Sequence, residues 1–520
     1  MDALVVLIPL LPLLAAAIIG IGHLSGLLTG EGSENTTADI AVWAITLSCL
    51  HTLILLGADI LAKNTGAFSV GQWLVSDSLI IRLNFITTGF NAKLAALFSI
   101  LLVIVSRFSV NYMHRETGFH RFYFVLCLFA SAILLLVLAG NAVVTFIGWE
   151  IAGVCSFLLI AYAYDRPVAI ANATRVFVTN RIGDAGFITG IGLCYVWIDT
   201  VNWGKVNASA SILTPGQASG IALCFAIAAF AKSAQLPFTP WLARAMEGPT
   251  PSSAVFYGAV MIHAGGFLVI QLQPIFEQAP FPMLLLAVTG FATALYSTFV
   301  GLTQTDVKSS LVFATTGQLG LMFLECGLGF WQLASWHLCA HAVVRGYLFL
   351  TSPSMMYVTQ DNPIKPVPPF ISQMRWAYVA SLQRLWLDQI TDWALVKPIL
   401  RLAQDMYYFD DYIVDRFMGA PAPAIQAISS LAQQEEKSFG TDLENDSNEF
   451  AKGTGLAGKL TEWTSAIVHW FEERWMVQSV SKTSHGTARK LAIAANQVER
   501  LIFRPRYLVL FVFITLMVAF

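Results

Sequence analysis

Residues 220–238 read GIALCFAIAAFAKSAQLPF, an apolar run that contains one charged residue, Lys232, and one proline, Pro237. A lysine near the middle of a bilayer costs roughly 2.5–3.5 kcal/mol on insertion scales, so such residues usually face a bundle interior and mark an ion or proton pathway. Pro237 has no N–H and its ring clashes with the carbonyl of residue 233, which predicts a helix break just after Lys232. The backbone groups freed around Ser233 then need polar or hydrated surroundings.

The whole chain has the composition of a polytopic membrane protein. Of its 520 residues, 56% are hydrophobic and 12% are charged, whereas soluble domains contain about 25% charged residues. Apolar runs long enough to cross about 30 Å of hydrocarbon lie near residues 3–23, 38–60, 84–106, 122–140, 142–164, 174–198, 217–238, 252–274, 281–303, 310–328 and 331–351. With a shorter run at 507–520, we predict an all-α membrane bundle of about 12 transmembrane helices, one of them broken at Pro237.

The composition also excludes several classes of function. A net charge of −2 argues against nucleic acid as a partner. The seven cysteines are scattered singly, with neither a CxxC motif nor a His/Cys pair at ligand spacing, so we expect neither disulfides nor a cysteine metal site. The chain has no GxGxxG after a strand, no P-loop and no CxxCH, which predicts that it holds no cofactor of its own.

The charges of the loops predict the topology. Positively charged residues are concentrated between alternate pairs of runs, at Arg107, Arg115, Arg121, Arg166, Arg244 and Lys308. By the positive-inside rule, these loops face the cytoplasm. We therefore expect a multi-pass protein of a bacterial inner membrane, surrounded by lipid, with its N-terminus outside and residues 352–503 on the cytoplasmic side.

After the bundle, which we assign to residues 1–351, the sequence changes character. Tryptophans and aliphatic residues recur every three or four positions from Trp376 to Trp393, which predicts one amphipathic helix kinked at Pro398. The predicted segments are an amphipathic helical segment at 352–432, a flexible acidic linker at 433–456, a second amphipathic helix at 457–503 and a transmembrane or membrane-anchoring helix at 504–520.

Inside the bundle, Glu150 complements Lys232 in sign. Glu150 lies close to half depth in the fifth run, and a Glu–Lys pair in a low dielectric can pass a proton when its partners separate. The alternative is a static ion pair that locks two helices together. Arg181 and Asp184, at i and i+3 near the start of the sixth run, can pair with each other and bias which partner holds the proton.

The eleventh run carries a stripe of polar residues. His337, His341 and Arg345 recur every four residues and share one helix face. Histidines pass protons through both ring nitrogens, so we interpret the stripe as a proton relay, the alternative being histidines satisfied within a core. Weaker candidates are His263 and Tyr257 in the eighth run, Glu325 late in the tenth run and Lys308 at its start. For Lys308, snorkelling to the interface is an equal alternative.

Five strings together resemble the antiporter-like membrane subunits of respiratory complex I and the Mrp-type sodium/proton antiporters, in particular the complex I subunit at the distal end of the membrane arm. They are GWEIAGVCSFLLI (148–160), NRIGDAGF (180–187), AKSAQLPFTPWLARAMEGPTPSSA (231–254), TDVKSSLVFATTGQLG (305–320) and HLCAHAVVRGYLFL (337–350). The resemblance implies that Glu150 and Lys232 form the gating pair of a proton half-channel, and that Asp184 tunes the pair.

The same resemblance implies that Lys308, His337 and His341 continue a hydrated axis across the subunit. It also implies that the long amphipathic helix resembles the lateral helix that straps neighbouring subunits. The chain departs from the family at Tyr257, where His is usual, and at Arg345, which replaces the Lys of HAxxK. Arginine keeps its charge, so this position can attract or gate a proton but cannot easily release one.

Two further features of the sequence bear on the process to which proton conduction is coupled. His263 stands where the family carries Thr or Lys, and the family's later spans, with a second Lys-bearing broken helix, do not follow residue 354. The strings FYGAVMIHAG (256–265), MFLECGLG (322–329) and LFLTSPS (348–354) are similar to the membrane subunit of DAB-type inorganic-carbon accumulation systems. In those systems a proton-conducting subunit works with a separate zinc protein that resembles carbonic anhydrase.

From this resemblance we expect a proton-conducting subunit whose proton flow drives carbon dioxide or bicarbonate uptake, with zinc only in the partner protein. The first alternative is the proton-pumping subunit of a complex I-like NADH:quinone oxidoreductase, with complex I-like subunits as partners. A structural scaffold with a vestigial channel is the second alternative, and a free-standing sodium/proton exchanger is the third. In each case the chain has no catalytic cofactor site of its own.

Overall fold

The computed structural model describes residues 2–61, 66–76, 79–304, 306–358 and 367–409. These residues fall into two compact units. The first comprises Met1–Tyr164 and Val168–Asp392, and the described part of the second is Asp165–Pro167 with residues 393–409. The predicted linker at 433–456 and the predicted helices at 457–503 and 504–520 lie outside the described residues, as does part of the segment at 352–432.

The described chain is helical apart from one hairpin. Before the eighth predicted apolar run (252–274), the elements are α1 (Asp2–Leu24), α2 (Glu34–Ile60), β1 (Ala67–Ser76), β2 (Leu79–Ile86), α3 (Gly89–Tyr112), α4 (Phe119–Leu138), α5 (Ala142–Ile160), α6 (Pro167–Ile198), α7 (Trp203–Ala208), α8 (Pro215–Lys232) and α9 (Pro240–Arg244). The remaining elements are α10 (Thr250–Ser253), α11 (Ala264–Gln271), α12 (Gln273–Glu277), α13 (Pro280–Gly301), α14 (Val307–Gly327), α15 (Trp331–Val358), α16 (Pro369–Ser372), α17 (Arg375–Leu382), α18 (Leu387–Thr391) and α19 (Lys397–Phe409).

Each of the eleven predicted apolar runs is mostly helical, which confirms an all-α, multi-pass membrane fold. Within the described ranges, eight helical stretches are long and apolar enough to cross a membrane. The runs that became α6, α8 and α15 are not among these eight. These three helices carry Arg181, Lys232 and His341, respectively.

The strands β1 and β2 form an antiparallel hairpin between α2 and α3. The sequence pattern did not predict this hairpin, because β2 continues into the apolar run that was assigned to the third helix. Asn141, just before α5, fixes the base of the hairpin: its Nδ2 donates to the carbonyl of Arg82 at 2.8 Å and to Oδ1 of Asn84 at 2.6 Å. The hairpin is thereby anchored to the start of the helix that carries Glu150.

The helix α4 is the core of the N-terminal half. It packs against α1, α3 and α5, and 83% of its most apolar window is buried, against 33% for α13. A helix that is apolar on all sides belongs inside a bundle. On α13, by contrast, Phe281, Leu284 and Val288 are exposed on one face, which is the pattern of a lipid-facing helix.

The predicted amphipathic helix after residue 373 is not continuous, so that prediction was wrong in part. Arg384, Leu385 and Trp386 have φ of 54°, 53° and 54°, and this left-handed turn separates α17 from α18. Such a conformation costs roughly 1–2 kcal/mol per non-glycine residue, so tertiary contacts must hold it. Pro398 closely follows a π-helical turn, Asp392–Val396, an irregularity of the kind that accompanies a kink.

Ion pairs join the segment α17–α18 to the rest of the first unit. Asp388 pairs with Arg244 of α9 at 2.8 Å, and Asp392, just after α18, pairs with Arg175 of α6 at 2.6 Å. The carboxylates of this segment therefore turn inward. The apolar residues Trp376 and Ile390 are instead 72% and 54% exposed, as expected of a helix that meets lipid or another subunit.

The described part of the second unit is short. Its main element is α19, whose first turn contains Pro398. Leu402 and Met406 of this helix are exposed. They lie four residues apart and so share one face of the helix.

Candidate functional site

Lys232 is the last residue of α8 and lies inside the protein. Its side chain is 1% exposed. Nζ donates to the backbone carbonyl of Trp149 on α5 at 3.0 Å and lies 4.9 Å from the centre of the Trp149 ring. One carbonyl and one aromatic face offset only part of the cost of desolvating an ammonium. The charged form of Lys232 therefore also depends on carboxylates nearby.

The break after Lys232 is satisfied by side chains, as the sequence predicted. Three contacts take up backbone groups that α8 leaves free: Trp241 Nε1 donates to the Ala231 carbonyl at 2.8 Å, Gln235 Nε2 donates to the Ser233 carbonyl at 3.0 Å, and the Leu236 N–H donates to Thr293 Oγ1 at 3.0 Å. Because these polar groups have partners, the irregular backbone beside Pro237 is tolerated inside the bundle.

A cluster of charges lies beside Lys232. Arg181 of α6 pairs with Glu150 of α5 at 2.6 Å and with Asp184 at 2.8 Å, which confirms the predicted pairing of Arg181 with Asp184. The indole Nε1 of Trp149 donates to Asp184 Oδ1 at 2.7 Å. We call Glu150, Arg181, Asp184 and Lys232 the charge cluster. With all four groups ionised, its charges cancel.

The direct contact between Glu150 and Lys232 that the sequence suggested is not formed in this structure. Both residues are described, and no carboxylate of the described chain lies within 4.0 Å of Lys232 Nζ. The guanidinium of Arg181 takes the Glu150 carboxylate instead. The space between the two cations is kept open by Gly153 of α5: a β-carbon there would lie 3.2 Å from Lys232 Nζ and 3.6 Å from Arg181 Nη2.

The helix of the eighth predicted apolar run (252–274), which we call the eighth span, is also broken. Its break contacts the break that follows Lys232. The turn Ala254–Ala259 is π-helical, Met261–His263 is a 3₁₀ turn, and Val260 between them has φ of −126° and ψ of −69°. Ser233, next to Lys232, donates through Oγ to the Ile262 carbonyl at 2.6 Å. The two irregular backbones are thus hydrogen-bonded to each other, one residue from Lys232 on one side and one residue from His263 on the other.

His263 begins a short chain of nitrogen contacts. Its side chain is 0% exposed, and its Nε2 lies 2.8 Å from Nδ1 of His341 on α15. On the other side of His341, Nε of Arg345 donates to Nε2 at 3.3 Å. We call His263, His341 and Arg345 the histidine chain. Sequence reasoning rated His263 weaker than the α15 stripe, yet this residue contacts the stripe directly.

His337, the third member of the predicted stripe, has different partners. Its Nδ1 lies 2.9 Å from Glu325 Oε1 and its Nε2 lies 3.0 Å from Gln318 Oε1, both on α14. The centres of the His337 and His341 rings are 6.2 Å apart, with the ring planes at 89°. The stripe is therefore one helix face, as predicted, but its two histidines do not hydrogen-bond directly.

The two remaining candidates stand apart from these clusters. Tyr257 is buried and its hydroxyl donates to the Ala245 carbonyl at 2.7 Å, a contact that anchors the π-helical turn. Lys308 is half-buried in the first turn of α14, where Asp306 caps the helix by accepting from the Ser309 N–H at 2.8 Å. Within the described residues, neither side chain forms a hydrogen bond or an ion pair with the charge cluster or the histidine chain.

Sequence reasoning missed three residues of the site. Trp149 holds both Lys232 and Asp184, although nothing but its position beside Glu150 marked it. Gln318 could have been found, because it lies seven residues before Glu325 and so on the same face of α14. Gly153 could not be found from a single sequence. Only the packing of α5 against α6 and α8 shows that Lys232 and Arg181 lie where its side chain would be.

The comparison with known families decides the classification. Residues 139–366 match the family model described as "NADH:quinone oxidoreductase/Mrp antiporter, TM". Residues 139–366 of this chain belong to that family. The matched range contains both the charge cluster and the histidine chain.

Individual relatives agree with this assignment. The chain is 36% identical over 362 residues to the NAD(P)H-quinone oxidoreductase chain 5 of Synechocystis sp., a match that covers 68% of this chain and 52% of that protein. It is 34% identical over 375 residues to the NADH-quinone oxidoreductase subunit L of Rhodobacter capsulatus, covering 68% and 51%. This chain thus spans about half the length of the curated relatives it matches.

Solved structures show the same fold. The Mrp complex from Dietzia sp. aligns with a TM-score of 0.61 and 21% identity, covering 99% of this chain and 62% of that chain. The membrane-bound sulfane sulfur reductase, an archaeal respiratory membrane complex, aligns with a TM-score of 0.55 and 19% identity, covering 68% and 71%. At these identities the similarity concerns the fold alone.

Proposed function

We propose that this chain is the proton-conducting, antiporter-like subunit of a multisubunit, energy-coupled membrane complex of the complex I or Mrp kind. The observation that supports this most is the position of Lys232, a buried amine at a helix break beside two carboxylates and a guanidinium. Intramembrane charges of this kind face bundle interiors and serve ion or proton pathways. The named relatives are quinone oxidoreductase subunits, which favours the complex I-like assembly over carbon uptake.

Proton transfer at the charge cluster requires Glu150 to change partners. In the present arrangement Glu150 is held by Arg181, and its Oε1 is buried without a hydrogen-bond partner. Movement of this carboxylate from Arg181 toward Lys232 would pair the ammonium, and movement back would leave Lys232 free to release its proton. Asp184 stays with Arg181 throughout, so Arg181 keeps one carboxylate when Glu150 leaves.

The onward route from Lys232 leads to the histidine chain. The hydrogen bond from Ser233 to the Ile262 carbonyl brings the two helix breaks together, and such irregular backbone inside a membrane protein commonly lines a hydrated cavity. Water between Lys232 and His263 would complete the path. His341 then passes the proton toward His337, Glu325 and Gln318, and Lys308 remains a candidate for a separate branch.

The proposal is tested on the intact complex, reconstituted into vesicles that contain a pH-sensitive dye. Lys232→Met removes the amine and keeps the length of the side chain, and we expect proton flux to fall by roughly 100-fold, as for loss of a proton-transfer group. The matched control is Lys205→Met, because Lys205 is an exposed lysine on α7. Normal flux through a fully assembled Lys232→Met complex would overturn the proton role and favour the scaffold alternative.

Coupling to inorganic carbon uptake is the second candidate, and one observation favours it. Two of the strings that resemble DAB-type subunits supply His263 and Glu325, and these residues contact His341 and His337. Purification of the complex separates the candidates. A zinc protein as the main partner would support carbon chemistry, whereas flavin and iron–sulfur subunits would support quinone chemistry.

In either assembly, we propose that this chain contributes no cofactor. Among the described residues, no group of three His, Cys, Asp or Glu side chains is placed to hold a metal ion. Metal analysis of the isolated chain, separated from its partners, checks this expectation: a stoichiometric metal would contradict it.

A further inference from the structure

The histidine chain has a fixed direction, which follows from the chemistry of Arg345. A guanidinium keeps its charge and carries only N–H donors. Nε of Arg345 donates to Nε2 of His341, so this ring nitrogen must offer a lone pair. A neutral imidazole has one N–H and one lone pair. The proton of His341 is therefore on Nδ1.

The same reasoning fixes the next ring. Nδ1 of His341, now the donor, lies 2.8 Å from Nε2 of His263. Nε2 of His263 must accept, so the proton of His263 is also on Nδ1. If either ring were doubly protonated, two N–H groups would face each other at one of these contacts. Hydrogen bonds of one polarity thus run from Arg345 through His341 to His263.

Packing holds the guanidinium in this position. Arg345 follows His341 by four residues on α15, so the two side chains lie on the same face. Gly258 of the π-helical turn lies against the Arg345 backbone, where a β-carbon would be 3.0 Å from the Arg345 carbonyl oxygen. Within the described residues no carboxylate pairs with Arg345, and its side chain donates to the imidazole of His341.

We propose that Arg345 is a positioning residue that sets the tautomers of His341 and His263 and thereby closes the proton path between His341 and His337. While its N–H occupies Nε2 of His341, that lone pair cannot accept a proton from the His337 side. Movement of the guanidinium off the ring opens the path. The tautomer assignment is independent of the proposed function, whereas the gate rests on it.

Once the guanidinium has moved off the ring, proton transfer through the two histidines conserves the number of protons. One proton from water on the His337 side binds Nε2 of His341, the Nδ1 proton of His341 passes to Nε2 of His263, and the Nδ1 proton of His263 passes to the proposed water between His263 and Lys232. Both rings then carry their proton on Nε2. They must return to the Nδ1 form before Arg345 can bond to His341 again, so one proton passes in each cycle. Conduction from Lys232 toward His337, the direction proposed above, runs these transfers in reverse from the Nε2–H form of both rings, and it needs the same guanidinium movement.

The test of the tautomers uses nitrogen NMR of the full chain in lipid bilayers, with ¹⁵N-labelled histidine. Protonated and unprotonated ring nitrogens resonate far apart, and the signals are assigned by their disappearance in His341→Gln and His263→Gln. We expect the Nδ1–H form at both residues in the wild type. The Nε2–H form at His341 would overturn the proposal without any need for a variant.

The variant Arg345→Met removes the donor and keeps the length of the side chain. We expect His341 to lose its Nδ1–H signature in this variant and to regain it in Arg345→Lys, which restores a charged donor. The matched control is Arg82→Met, an exposed arginine on β2, which should leave both rings unchanged. Unaltered tautomers in Arg345→Met would overturn the assignment. If Arg345→Met fails to assemble, the wild-type spectrum and the Arg345→Lys spectrum still decide.

Proton flux tests the gate separately. In vesicles, Arg345→Met should raise the proton leak, the flux that is not coupled to the partner's reaction, by about tenfold. This is the increase in the population of the open path that is expected when a hydrogen bond to a charged group is lost. Altered tautomers with unaltered leak would overturn the gate and leave the tautomer assignment standing. If the wild-type complex moves no protons at all, the proposed function fails, while the NMR result still stands.

Discussion

The two broken spans of the bundle differ in what breaks them. In α8 the cause is in the covalent chain, because Pro237 cannot continue a helix and lies just beyond Lys232. In the eighth span, the π-helical and 3₁₀ turns meet at Val260, although residues 254–263 contain no proline. The first break is local, and the second is held by contacts from other helices.

This difference shows which contacts hold the backbone around each titratable group. Lys232 lies at a break whose backbone groups are satisfied largely by residues of its own neighbourhood in sequence, such as Gln235 and Trp241. His263 lies at a break that depends on Ser233 and on the packing of α15. Changes at the contact between the two breaks should therefore disturb His263 more than Lys232.

The largest effect is expected for Gly265→Ala, at the contact between the two breaks. A β-carbon there would lie 2.5 Å from the Ala229 carbonyl oxygen and would also meet Ser233 Oγ. Overpacking of this kind costs about 1–3 kcal/mol or more. The measurement is the thermal unfolding midpoint in detergent, with Gly192→Ala as control, because a β-carbon at Gly192 meets nothing within 4 Å. Equal midpoints for the two variants would contradict the close packing.

A smaller effect is expected for Trp241→Phe, which affects the α8 break alone. The change keeps an aromatic ring and removes the 2.8 Å donor of the Ala231 carbonyl, which then keeps the longer hydrogen bond from the Ala234 N–H at 3.4 Å. Loss of one such hydrogen bond costs about 0.5–1.5 kcal/mol. The unfolding midpoint is compared with that of Trp43→Phe, since Trp43 is 64% exposed on α2. If the His263 and His341 NMR signals also shift, the α8 break is less local than we conclude.

For Gly153→Ala we expect little loss of stability and a loss of proton flux. The added methyl would lie 3.2 Å from Lys232 Nζ and 3.6 Å from Arg181 Nη2, the mobile ends of two long side chains that can yield. Stability should stay within about 1 kcal/mol of wild type. Flux should fall, because Lys232 and Glu150 then approach each other less easily. Wild-type flux would show that Glu150 reaches Lys232 by another route.

The smallest effect is expected at the exposed pair of Glu31, before the start of α2, and Arg115, after the end of α3. The hydrogen bond from Arg115 to Glu31, at 2.7 Å, lowers the pKa of this carboxyl below its ordinary value of 4.5. The pair therefore stabilises the fold above that value, and the stabilisation disappears as the pH falls through the lowered pKa. Because the pair is fully exposed, solvent screens it. Unfolding midpoints of wild type and Glu31→Gln should almost coincide at neutral pH; a clear difference would show that this loop matters more than its exposure suggests.

Much of the site could be predicted from single residues whose chemistry conflicts with their surroundings. Lys232 in an apolar run, Pro237 beyond it and the four-residue spacing of the α15 stripe each follow from local rules. The partner of Glu150 could not be predicted in this way. Glu150 and Lys232 are of opposite sign, but Arg181 from a third helix takes the carboxylate, and the order of packing of α5, α6 and α8 is a tertiary property.

The remaining misses have the same physical origin. Periodicity cannot distinguish a continuous amphipathic helix from one interrupted at residues 384–386, because the interruption is held by contacts with distant residues. Nor can an apolar run show that β2 forms a hairpin at its start. Local patterns report which surfaces are apolar, whereas pairing between distant segments decides where those surfaces meet.

The sequence by itself thus determined the all-α membrane bundle, its apolar runs and the break after Lys232, because hydrophobic length and proline geometry act within a few residues. Only the tertiary structure decided which charged residues pair, that the eighth span breaks at Val260, and that Arg345 donates a hydrogen bond to Nε2 of His341. Those features depend on side chains from separate helices, and their energies arise when the helices pack.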